Sequence, residues 1–265
     1  MPSKMNKWVK WVKKLTIVKK IIEVLLRGNA HLCPFCCQSF NKFLTYGKNF
    51  KVISRLGIIG AGKRKNNLCP HCYSSDRERL VYLYLKYIHI LDNNIKLLHV
   101  APEKNLYSVF KSKKNITYLF GDIFSDMYTY PKGTIDLNIE SMPFSSNTFD
   151  VIICNHVLEH VKDDKKALSE IKRTLKDGGF ALLQVPIATK MRNTLYNSKI
   201  TSKADREQYY GQGDHLRLYG LSYSKILEVA GFKVKMINPQ NFLTSAEIDR
   251  YLVNRSENLY TVYKI

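Results

Sequence analysis

Residues 142–186 read MPFSSNTFDVIICNHVLEHVKDDKKALSEIKRTLKDGGFALLQVP, and this stretch decides the fold. The apolar run from Phe149 to Cys154 predicts a buried strand, and the run from Phe180 to Val185 predicts a second one. Between them, a charged segment with apolar residues at helical spacing begins at Asn155-His156 and predicts a helix, which Asp177-Gly178-Gly179 ends. Strand, helix, tight turn and strand together predict a βαβ unit whose parallel strands are buried on both faces.

The same alternation of helices and strands extends over most of the chain. It predicts an α/β fold in which ligands bind beyond the carboxyl ends of parallel strands. The predicted elements outside residues 142–186 are a helix from about Asp76 to Leu91, strands at Ile95–Val100, Thr117–Gly121 and near Ile135–Ile139, a helix at Ser222–Ala230, and strands at Phe232–Ile237 and Leu259–Ile265.

The charge of the chain is concentrated in its N-terminal part. The formal net charge of the 265 residues is +20. Residues 1–70 hold 15 Lys and Arg and a single acid, Glu23, whereas residues 71–265 hold 27 basic and 21 acidic residues. No run of about 20 uncharged apolar residues is present, so no membrane-spanning helix is predicted. Lysines interrupt every apolar run before Arg27, which argues against a signal peptide, and we expect a cytoplasmic protein.

Residues 1–28 predict a basic amphipathic helix. Trp8, Trp11, Val18 and Leu25 belong to an apolar stripe with spacings of three and four, and most lysines lie off this stripe. Such a helix can lie in a membrane interface, with lysines on anionic head groups. The alternative is a helix that packs on its own domain or on a partner subunit.

Two Cys-x-x-Cys pairs predict a structural metal site in residues 29–79. Each pair can present two thiolates, and Cys33, Cys36, Cys69 and Cys72 together complete a closed tetrahedral zinc shell. Cys37 could replace Cys36 through a register shift. A redox dithiol is the alternative for either pair alone. We therefore divide the chain into a helix (1–28), a zinc-ribbon-like segment (29–79) and a larger α/β domain (80–265).

The α/β domain resembles the class I S-adenosylmethionine-dependent methyltransferases of the type 11 kind. The resemblance rests on the Pro-Phe segment before the Phe-Asp strand, on Leu158-Glu159-His160, and on the Leu-Lys-x-Gly-Gly turn, in which Asp177 stands where that family usually has proline. It implies a Rossmann-like seven-stranded sheet with an antiparallel last strand, and S-adenosylmethionine as the methyl donor.

The resemblance also implies a cofactor site, although the loop after the first strand departs from the family pattern. Ala101, Glu103 and Asn105 stand where three glycines are usual. We expect a rearranged pocket in which Glu103 binds the methionine ammonium; the alternative is a domain that has lost the cofactor. The implied cofactor-binding residues are Ala101, Glu103, Asp122 for the ribose, Asn138 and Ile139 for the adenine, and Asn155 and His156 beneath the methyl donor.

Residues 206–220 occupy the region that forms the acceptor lid in the resembled family. Here His215 could deprotonate an acceptor hydroxyl, with Asp214 setting its tautomer and basicity. Arg217 could hold a phosphate or carboxylate. The alternative is that these side chains only fix the lid through hydrogen bonds.

Several motifs together resemble a bacterial methyltransferase subgroup often associated with surface-polysaccharide biosynthesis. They are the two cysteine pairs, the Ser-Asp-Arg-Glu-Arg run (75–79), the Leu-His-Val-Ala-Pro-Glu segment and Gly-Gln-Gly-Asp-His-Leu-Arg-x-Tyr-Gly (211–220). This resemblance implies O-methylation of a sugar or lipid-linked glycan. Two alternatives stay open: RNA methylation or RNA binding through the basic N-terminal part, and a non-catalytic protein with a degenerate methyltransferase fold.

Overall fold

The computed structural model of the chain describes residues 17–124 and 130–264. The elements of its N-terminal part are α1 (17–26), β1 (Arg27–Leu32), β2 (Ser39–Phe40), β3 (Leu44–Tyr46), α2 (Lys51–Leu56), β4 (Ile58–Ile59), β5 (Arg64–Leu68) and α3 (Asp76–Tyr87). The elements that follow are β6 (Ile95–Val100), α4 (Lys104–Ser112), β7 (Ile116–Asp122), β8 (Ile135–Asp136), β9 (Phe149–Cys154), α5 (Asp164–Thr174), β10 (Leu175–Leu182), β11 (Ile187–Ala188), β12 (Leu195–Tyr196), α6 (Lys203–Tyr210), β13 (Arg217–Gly220), α7 (Tyr223–Val229), β14 (Phe232–Ile237), α8 (Ser245–Tyr251) and β15 (Leu259–Lys264).

A mostly parallel sheet of seven strands forms the centre of the molecule. Its spatial order is β14-β15-β10-β9-β6-β7-β8. The last strand in the sequence, β15, runs antiparallel to both of its neighbours, β10 and β14. The predicted Rossmann-like α/β fold, with an antiparallel final strand inserted in a seven-stranded sheet, is therefore confirmed.

The hydrophobic core lies on both faces of this sheet because side chains alternate along each strand. In β9, Ile152 and Cys154 pack toward the face that carries α5 and α7, while Val151 and Ile153 pack toward the face that carries α3, α4 and α8. All four side chains are at most 1% exposed. Parallel strands covered on both faces read as continuous apolar runs, and for that reason the sequence predicts them well.

The helix of the βαβ unit begins later than predicted. Asn155 and His156 do not start it; α5 starts at Asp164, after Asp163 caps its first turn by accepting a hydrogen bond from the amide of Lys166. Residues 156–162 form turns instead, and His156 has a left-handed backbone (φ 55°). Leu158 is nevertheless fully buried, and its burial mimics the helical pattern in the sequence.

The turn at Gly178-Gly179 is part of a strand rather than a helix stop. The helix already ends at Thr174, and β10 runs through the two glycines with a shift in register between Leu175 and Phe180. Gly178 has φ 75°, and a side chain on Gly179 would meet two backbone oxygens at 2.9 Å. Glycine is therefore required for the conformation at one position and for space at the other.

The remaining boundaries differ only in detail from the predictions. The helix predicted to reach Leu91 ends at Tyr87, because His89 takes a left-handed conformation and a short 3₁₀ turn follows at Ile90–Asp92. The strand predicted near Ile135–Ile139 is shorter, with pairing only at Ile135–Asp136.

The N-terminal part packs directly on the α/β domain. Strand β4 joins β11, β13 and β12 in a second sheet, in which β4 pairs antiparallel to β11. Helix α3 continues across the predicted boundary between residues 79 and 80. Trp8 and Trp11 of the predicted amphipathic stripe lie outside the described residues. Within the described ranges, no helix is long and apolar enough to cross a membrane.

Candidate active site and cysteine cluster

The structure brings the four predicted metal-ligating thiols together in one group, which we call the cysteine cluster (Cys33, Cys36, Cys69 and Cys72). Their sulfur atoms all lie within 4.8 Å of one another. Cys33 Sγ is 3.5 Å from Cys72 Sγ, and Cys36 Sγ is 3.7 Å from Cys69 Sγ. Four sulfurs around one tetrahedral zinc are separated by roughly 3.8 Å when each bond is about 2.3 Å. The spacing and the donor type both fit a closed zinc shell.

The two cysteine pairs adopt the same backbone turn. Cys37 and Tyr73, each four residues after the first cysteine of its pair, both have a left-handed backbone and both donate their amide to that cysteine's carbonyl. Cys37 is exposed, whereas Cys36 belongs to the cluster. The sequence alternative that Cys37 replaces Cys36 is therefore wrong.

A fully buried arginine ties the cysteine cluster to the α/β domain. Arg79 donates to the carbonyls of Asn67 and Ser74 beside the second cysteine pair, at 3.0 and 2.6 Å. It also donates to the carbonyls of Tyr251 and Leu252 at the end of α8, at 2.8 and 2.9 Å. Four backbone carbonyls accept hydrogen bonds from this one buried guanidinium. Arg79 therefore fixes the position of the cysteine cluster relative to the α/β domain.

The loop after β6 has a strained backbone at Ala101, a position where class I methyltransferases usually have glycine. Ala101 follows β6 with a left-handed backbone (φ 49°), and its amide donates to the carbonyl of Gly121 at 2.8 Å. A non-glycine residue in this conformation costs about 1 kcal/mol or more. The chain therefore keeps the sharp turn of this loop although the glycines are missing.

Glu103 and Asn155 meet across the point where the strand order reverses. Glu103 follows β6, Asn155 follows β9, and Asn155 Nδ2 donates to Glu103 Oε1 at 3.2 Å. His99 Nε2 lies 2.5 Å from the other carboxylate oxygen. Burial opposes ionisation of Glu103, but the hydrogen bonds from His99 and Asn155 outweigh it and lower the pKa of this carboxyl. Oδ1 of Asn155 is buried and has no partner among the described residues.

The predicted ribose and adenine residues lie at the ends of the next two strands. Asp122 ends β7 and pairs in register with Asp136 of β8. One oxygen of Asp122 accepts the amide of Ile123, and burial raises the pKa of this carboxyl. Ile139 is buried, whereas Asn138 is exposed and its Oδ1 accepts the amide of Glu140.

A small cavity at this edge contains residues that sequence reasoning missed. Arg77, Gln184 and Glu257 line it together with Glu103, Asn155 and His156. Arg77 donates to the carbonyl of Gly60 at 2.7 Å, so the turn at Gly60 covers the cavity. The volume is about 10 Å³, which is room for about one water molecule. No signal in the sequence places these three residues together, because they come from distant segments.

The acceptor side brings together a second group of donors, which we call the imidazole cluster (Glu159, His160 and His215). One potential ligand atom from each residue lies within 4.8 Å of the others. The rings of His160 and His215 meet edge to face with centroids 4.8 Å apart. Burial raises the pKa of Glu159 to about 8 and lowers the pKa of His215 to about 4.

Asp214 contacts a different imidazole from the one predicted. Its backbone oxygen lies 3.2 Å, and its Oδ2 3.5 Å, from Nδ1 of His160. The expectation that Asp214 sets the tautomer of His215 is thus corrected to His160, whereas its expected effect on basicity holds, because the charge of Asp214 opposes the lowering of the His215 pKa by burial. The sequence could not distinguish them, because His160 lies 54 residues away along the chain.

Arg217 does not face a ligand. Its side chain is about 5% exposed and forms an ion pair with Asp164 at 3.3 Å. It donates to the carbonyl of Leu158 at 3.1 Å and to that of Lys162 at 2.8 Å. The predicted role in holding a phosphate or carboxylate is therefore wrong, and Arg217 instead fixes the turn after β9 against β13.

The residues at the strand ends fit S-adenosylmethionine in chemistry. Arg77 and Glu103 offer opposite charges in one cavity, as a carboxylate and an ammonium on the same carbon would require. Asp122 offers a carboxylate for a diol, and the unpartnered Oδ1 of Asn155 still needs a donor. The cavity in its present shape is too small for an amino-acid group, so Arg77 or the Gly60 turn must move on binding.

Comparisons with known proteins find similarity in part of the chain. Residues 95–183 match the family described as methyltransferase domain. An uncharacterized protein of Methanocaldococcus jannaschii, MJ0638, is 38% identical over 27% of this chain and 34% of its own length. The ubiquinone/menaquinone biosynthesis C-methyltransferase UbiE of Klebsiella pneumoniae is 43% identical over 18% of this chain and 20% of its own length.

The chain thus covers 34% of the length of one of these relatives and 20% of the other. Among solved structures, a SAM dependent methyltransferase from Archaeoglobus fulgidus superposes with a TM-score of 0.45 at 17% identity, covering 71% of this chain and 93% of that one.

Proposed function

We propose that the chain is an S-adenosylmethionine-dependent methyltransferase that methylates a hydroxyl group of a sugar or lipid-linked glycan. The observation that carries the methyl-transfer part is the bond between Glu103 and Asn155 across the switch in strand order, with Asp122 at the end of the neighbouring strand. In open α/β sheets this is the position at which ligands bind.

S-adenosylmethionine would supply a methyl group on a sulfonium, ready for in-line displacement by a nucleophile. The chain's own residues would orient it. Asp122 would accept hydrogen bonds from the ribose hydroxyls, and Ile139 and Asn138 would contact the adenine. Glu103 would accept the methionine ammonium and Arg77 would donate to its carboxylate, while Ala101 provides the turn and Asn155 and His156 lie beneath the sulfur. Alignment of two bound substrates is the largest contribution such a site makes.

The proposal of a hydroxyl acceptor rests on the imidazole groups in and beside the predicted acceptor lid (206–220). A hydroxyl nucleophile needs a group that takes its proton or lowers its pKa. In the predicted acceptor lid (206–220), His215 contacts the ring of His160, and Asp214 lies beside the same ring. A general-base role for His215 stays a prediction. The same neutral imidazole can instead bind a metal ion, and the two roles require different tests.

The exposed surface of α1 supports an acceptor carried at a membrane surface. Glu23 of this helix contacts His71 beside the second cysteine pair, at 3.2 Å. The opposite side leaves apolar residues exposed, including Val24 at 72% and Leu25 at 75%. Apolar side chains flanked by lysines suit the headgroup region of an anionic bilayer. We propose this helix as a peripheral membrane contact.

We also propose a structural zinc ion in the cysteine cluster. Four thiolates leave no open coordination position, so such an ion would stabilise the fold and take no part in the chemistry.

Calorimetric titration with S-adenosylhomocysteine tests the proposed function without knowledge of the acceptor. We expect binding by the wild-type protein and at least a tenfold weaker affinity for Asp122→Ala, because a charge-assisted hydrogen bond to a diol contributes about 1.5–3 kcal/mol. Asp177→Ala is the matched control, since Asp177 is 79% exposed and pairs with Lys264. Absence of binding by the wild-type protein would favour the degenerate-fold alternative.

A second experiment concerns the acceptor. Vesicles with anionic lipid should bind the wild-type protein, whereas RNA at moderate salt should not; the reverse pattern would favour the RNA alternative.

A further inference from the structure

Within the described residues, the imidazole cluster contains buried polar atoms that form no hydrogen bond. The side chain of Glu159 is 1% exposed and that of His215 is 3% exposed. Within the described residues, no hydrogen bond is formed by either carboxylate oxygen of Glu159 or by Nδ1 of His215. Both ring nitrogens of neighbouring His156 lack hydrogen bonds as well. Buried polar groups almost always have partners, so several such atoms on neighbouring side chains indicate a missing ligand.

Two imidazole nitrogens face one oxygen of Glu159: Nδ1 of His156, and Nε2 of His215, the other nitrogen of the ring whose Nδ1 has no hydrogen bond. Glu159 Oε1 lies 3.4 Å from His156 Nδ1 and 4.0 Å from His215 Nε2. Donors around a tetrahedral ion with bonds of about 2.0–2.1 Å are separated by roughly 3.3 Å. To reach this separation, the two observed nitrogen–oxygen distances would need to shorten by about an ångström or less.

Asp214 fixes the ring of His160, the third member of the imidazole cluster. Its Nδ1 faces Asp214 at 3.2 Å and 3.5 Å. A proton on Nδ1, donated to Asp214, leaves the lone pair of Nε2 free. Metal-ligating histidines typically donate their second ring nitrogen to a carboxylate or carbonyl in this way, which fixes the tautomer and orientation of the ring.

The two segments that carry the donors are tied together through their backbones. The amide of Leu216, next to His215, donates to the carbonyl of Glu159 at 2.8 Å. Arg217 donates to carbonyls on both sides of the Glu159-His160 pair. Tyr219 adds a bond from its hydroxyl to Asp164 Oδ2 at 2.8 Å. The donors are thus held by main-chain and buried side-chain bonds, as a pre-organised binding site requires.

We propose that Glu159, His160 and His215, with His156 as a further donor, bind a divalent transition-metal ion. Imidazole nitrogens combined with one carboxylate suit zinc, manganese, cobalt or iron, and an ion that takes five or six ligands keeps positions open even when all four side chains bind it. The metal site follows from the donors alone. Its use in binding the acceptor hydroxyl and lowering the pKa of that hydroxyl rests on the proposed methyl transfer. Coordination would occupy the lone pair that a general-base role of His215 needs.

Cobalt spectroscopy on the intact protein tests the site without any mutation. The protein is loaded with one zinc per chain and then titrated with Co²⁺. We expect ligand-field absorption of a bound ion without sulfur-to-metal charge transfer, which marks nitrogen and oxygen ligands. Absence of a saturable ligand-field signal would overturn the proposal, and a signal that carries sulfur charge transfer would also overturn it, because the ion would then occupy the cysteine cluster.

Equilibrium dialysis against Zn²⁺, followed by elemental analysis, measures the number of zinc ions bound per chain in the wild type and in matched variants. We expect about two zinc ions per wild-type chain and about one for Glu159→Gln and for His215→Ala. His71→Ala is the control, because His71 is a half-exposed histidine near the other cluster, and it should retain two ions. One ion in the wild-type protein, or two in both cluster variants, would overturn the proposal. If Glu159→Gln does not fold, the cobalt titration decides.

The outcomes separate this inference from the proposed function. S-adenosylhomocysteine binding without a second ion would overturn only the metal site. A second ion without S-adenosylhomocysteine binding would support the metal site and overturn the proposed methyl transfer.

Discussion

The cysteine cluster and the imidazole cluster are both groups of metal-ligating side chains, but they differ in how completely their donors are arranged. The four sulfurs already have the spacing of a closed tetrahedral shell, with pairs at 3.5 and 3.7 Å. In the imidazole cluster, Glu159 Oε1 and His215 Nε2 are 4.0 Å apart, and several donors form no hydrogen bond within the described residues. One cluster is complete, and the other leaves room for a further ligand.

Their positions in the fold account for this difference. The cysteine cluster lies next to Arg79, whose four bonds to backbone carbonyls connect the N-terminal part to α8. The imidazole cluster lies between the end of β9 and the start of β13, where the proposed methyl donor and acceptor would meet. A closed shell stabilises packing, whereas an open shell retains positions for substrate. We therefore expect the two clusters to differ in their effect on stability.

The largest expected effect is that of Cys69→Ser. Loss of one thiolate from a closed shell removes metal-binding free energy that is also folding free energy. We expect the free energy of unfolding to fall by at least about 3 kcal/mol and the melting temperature by roughly 6–12 °C. Cys37→Ser, which changes an exposed thiol outside the cluster, should melt with the wild type. Equal melting of all three proteins would show that the cysteine cluster does not stabilise the fold.

An intermediate effect is expected for Arg217→Leu. This change removes the ion pair with Asp164 and the donor to the carbonyl of Lys162, while the carbonyl of Leu158 keeps the Tyr219 hydroxyl as a donor. An unpaired buried acceptor costs about 1–3 kcal/mol. We expect about 2–4 kcal/mol less stability in urea unfolding together with weaker binding of the second ion. Arg192→Leu, at an exposed side chain, is the control. Unchanged stability would indicate that the turn after β9 does not need this anchor.

The smallest effect on stability is expected for Glu159→Gln. The change removes a buried carboxylate that has no hydrogen-bond partner in the described structure, so little native interaction is lost. We expect the free energy of unfolding, measured in urea without added metal, to change by about 1 kcal/mol or less. A loss as large as that of Cys69→Ser would contradict the contrast between the two clusters.

The parts of the fold that could be predicted are those that depend on short-range sequence patterns, such as apolar runs and Cys-x-x-Cys spacing. Phe149–Cys154 and Phe232–Ile237 are strands with the predicted bounds, because buried strands read as apolar runs between turn residues. The four thiols could be grouped because each Cys-x-x-Cys spacing places both sulfurs on one turn. The start of α5 was missed, since buried Leu158 in a turn has the same spacing as a helical residue.

The parts of the site that were not predictable depend on contacts between distant segments. Arg77 and Glu257 line the cavity with Glu103 although about 180 residues separate the first two along the chain. Asp214 faces His160, which lies 54 residues away along the chain, rather than the adjacent His215. Tertiary packing, and not spacing in the sequence, selects these partners.

The most direct test of the contrast is a chelator titration of the wild-type protein, in which released zinc and helical circular dichroism are recorded together. The account predicts two steps. A first ion leaves the imidazole cluster without change in the dichroism, and a second leaves the cysteine cluster only as the protein unfolds. Release of a single ion, or of two ions in one step that coincides with unfolding, would contradict the account.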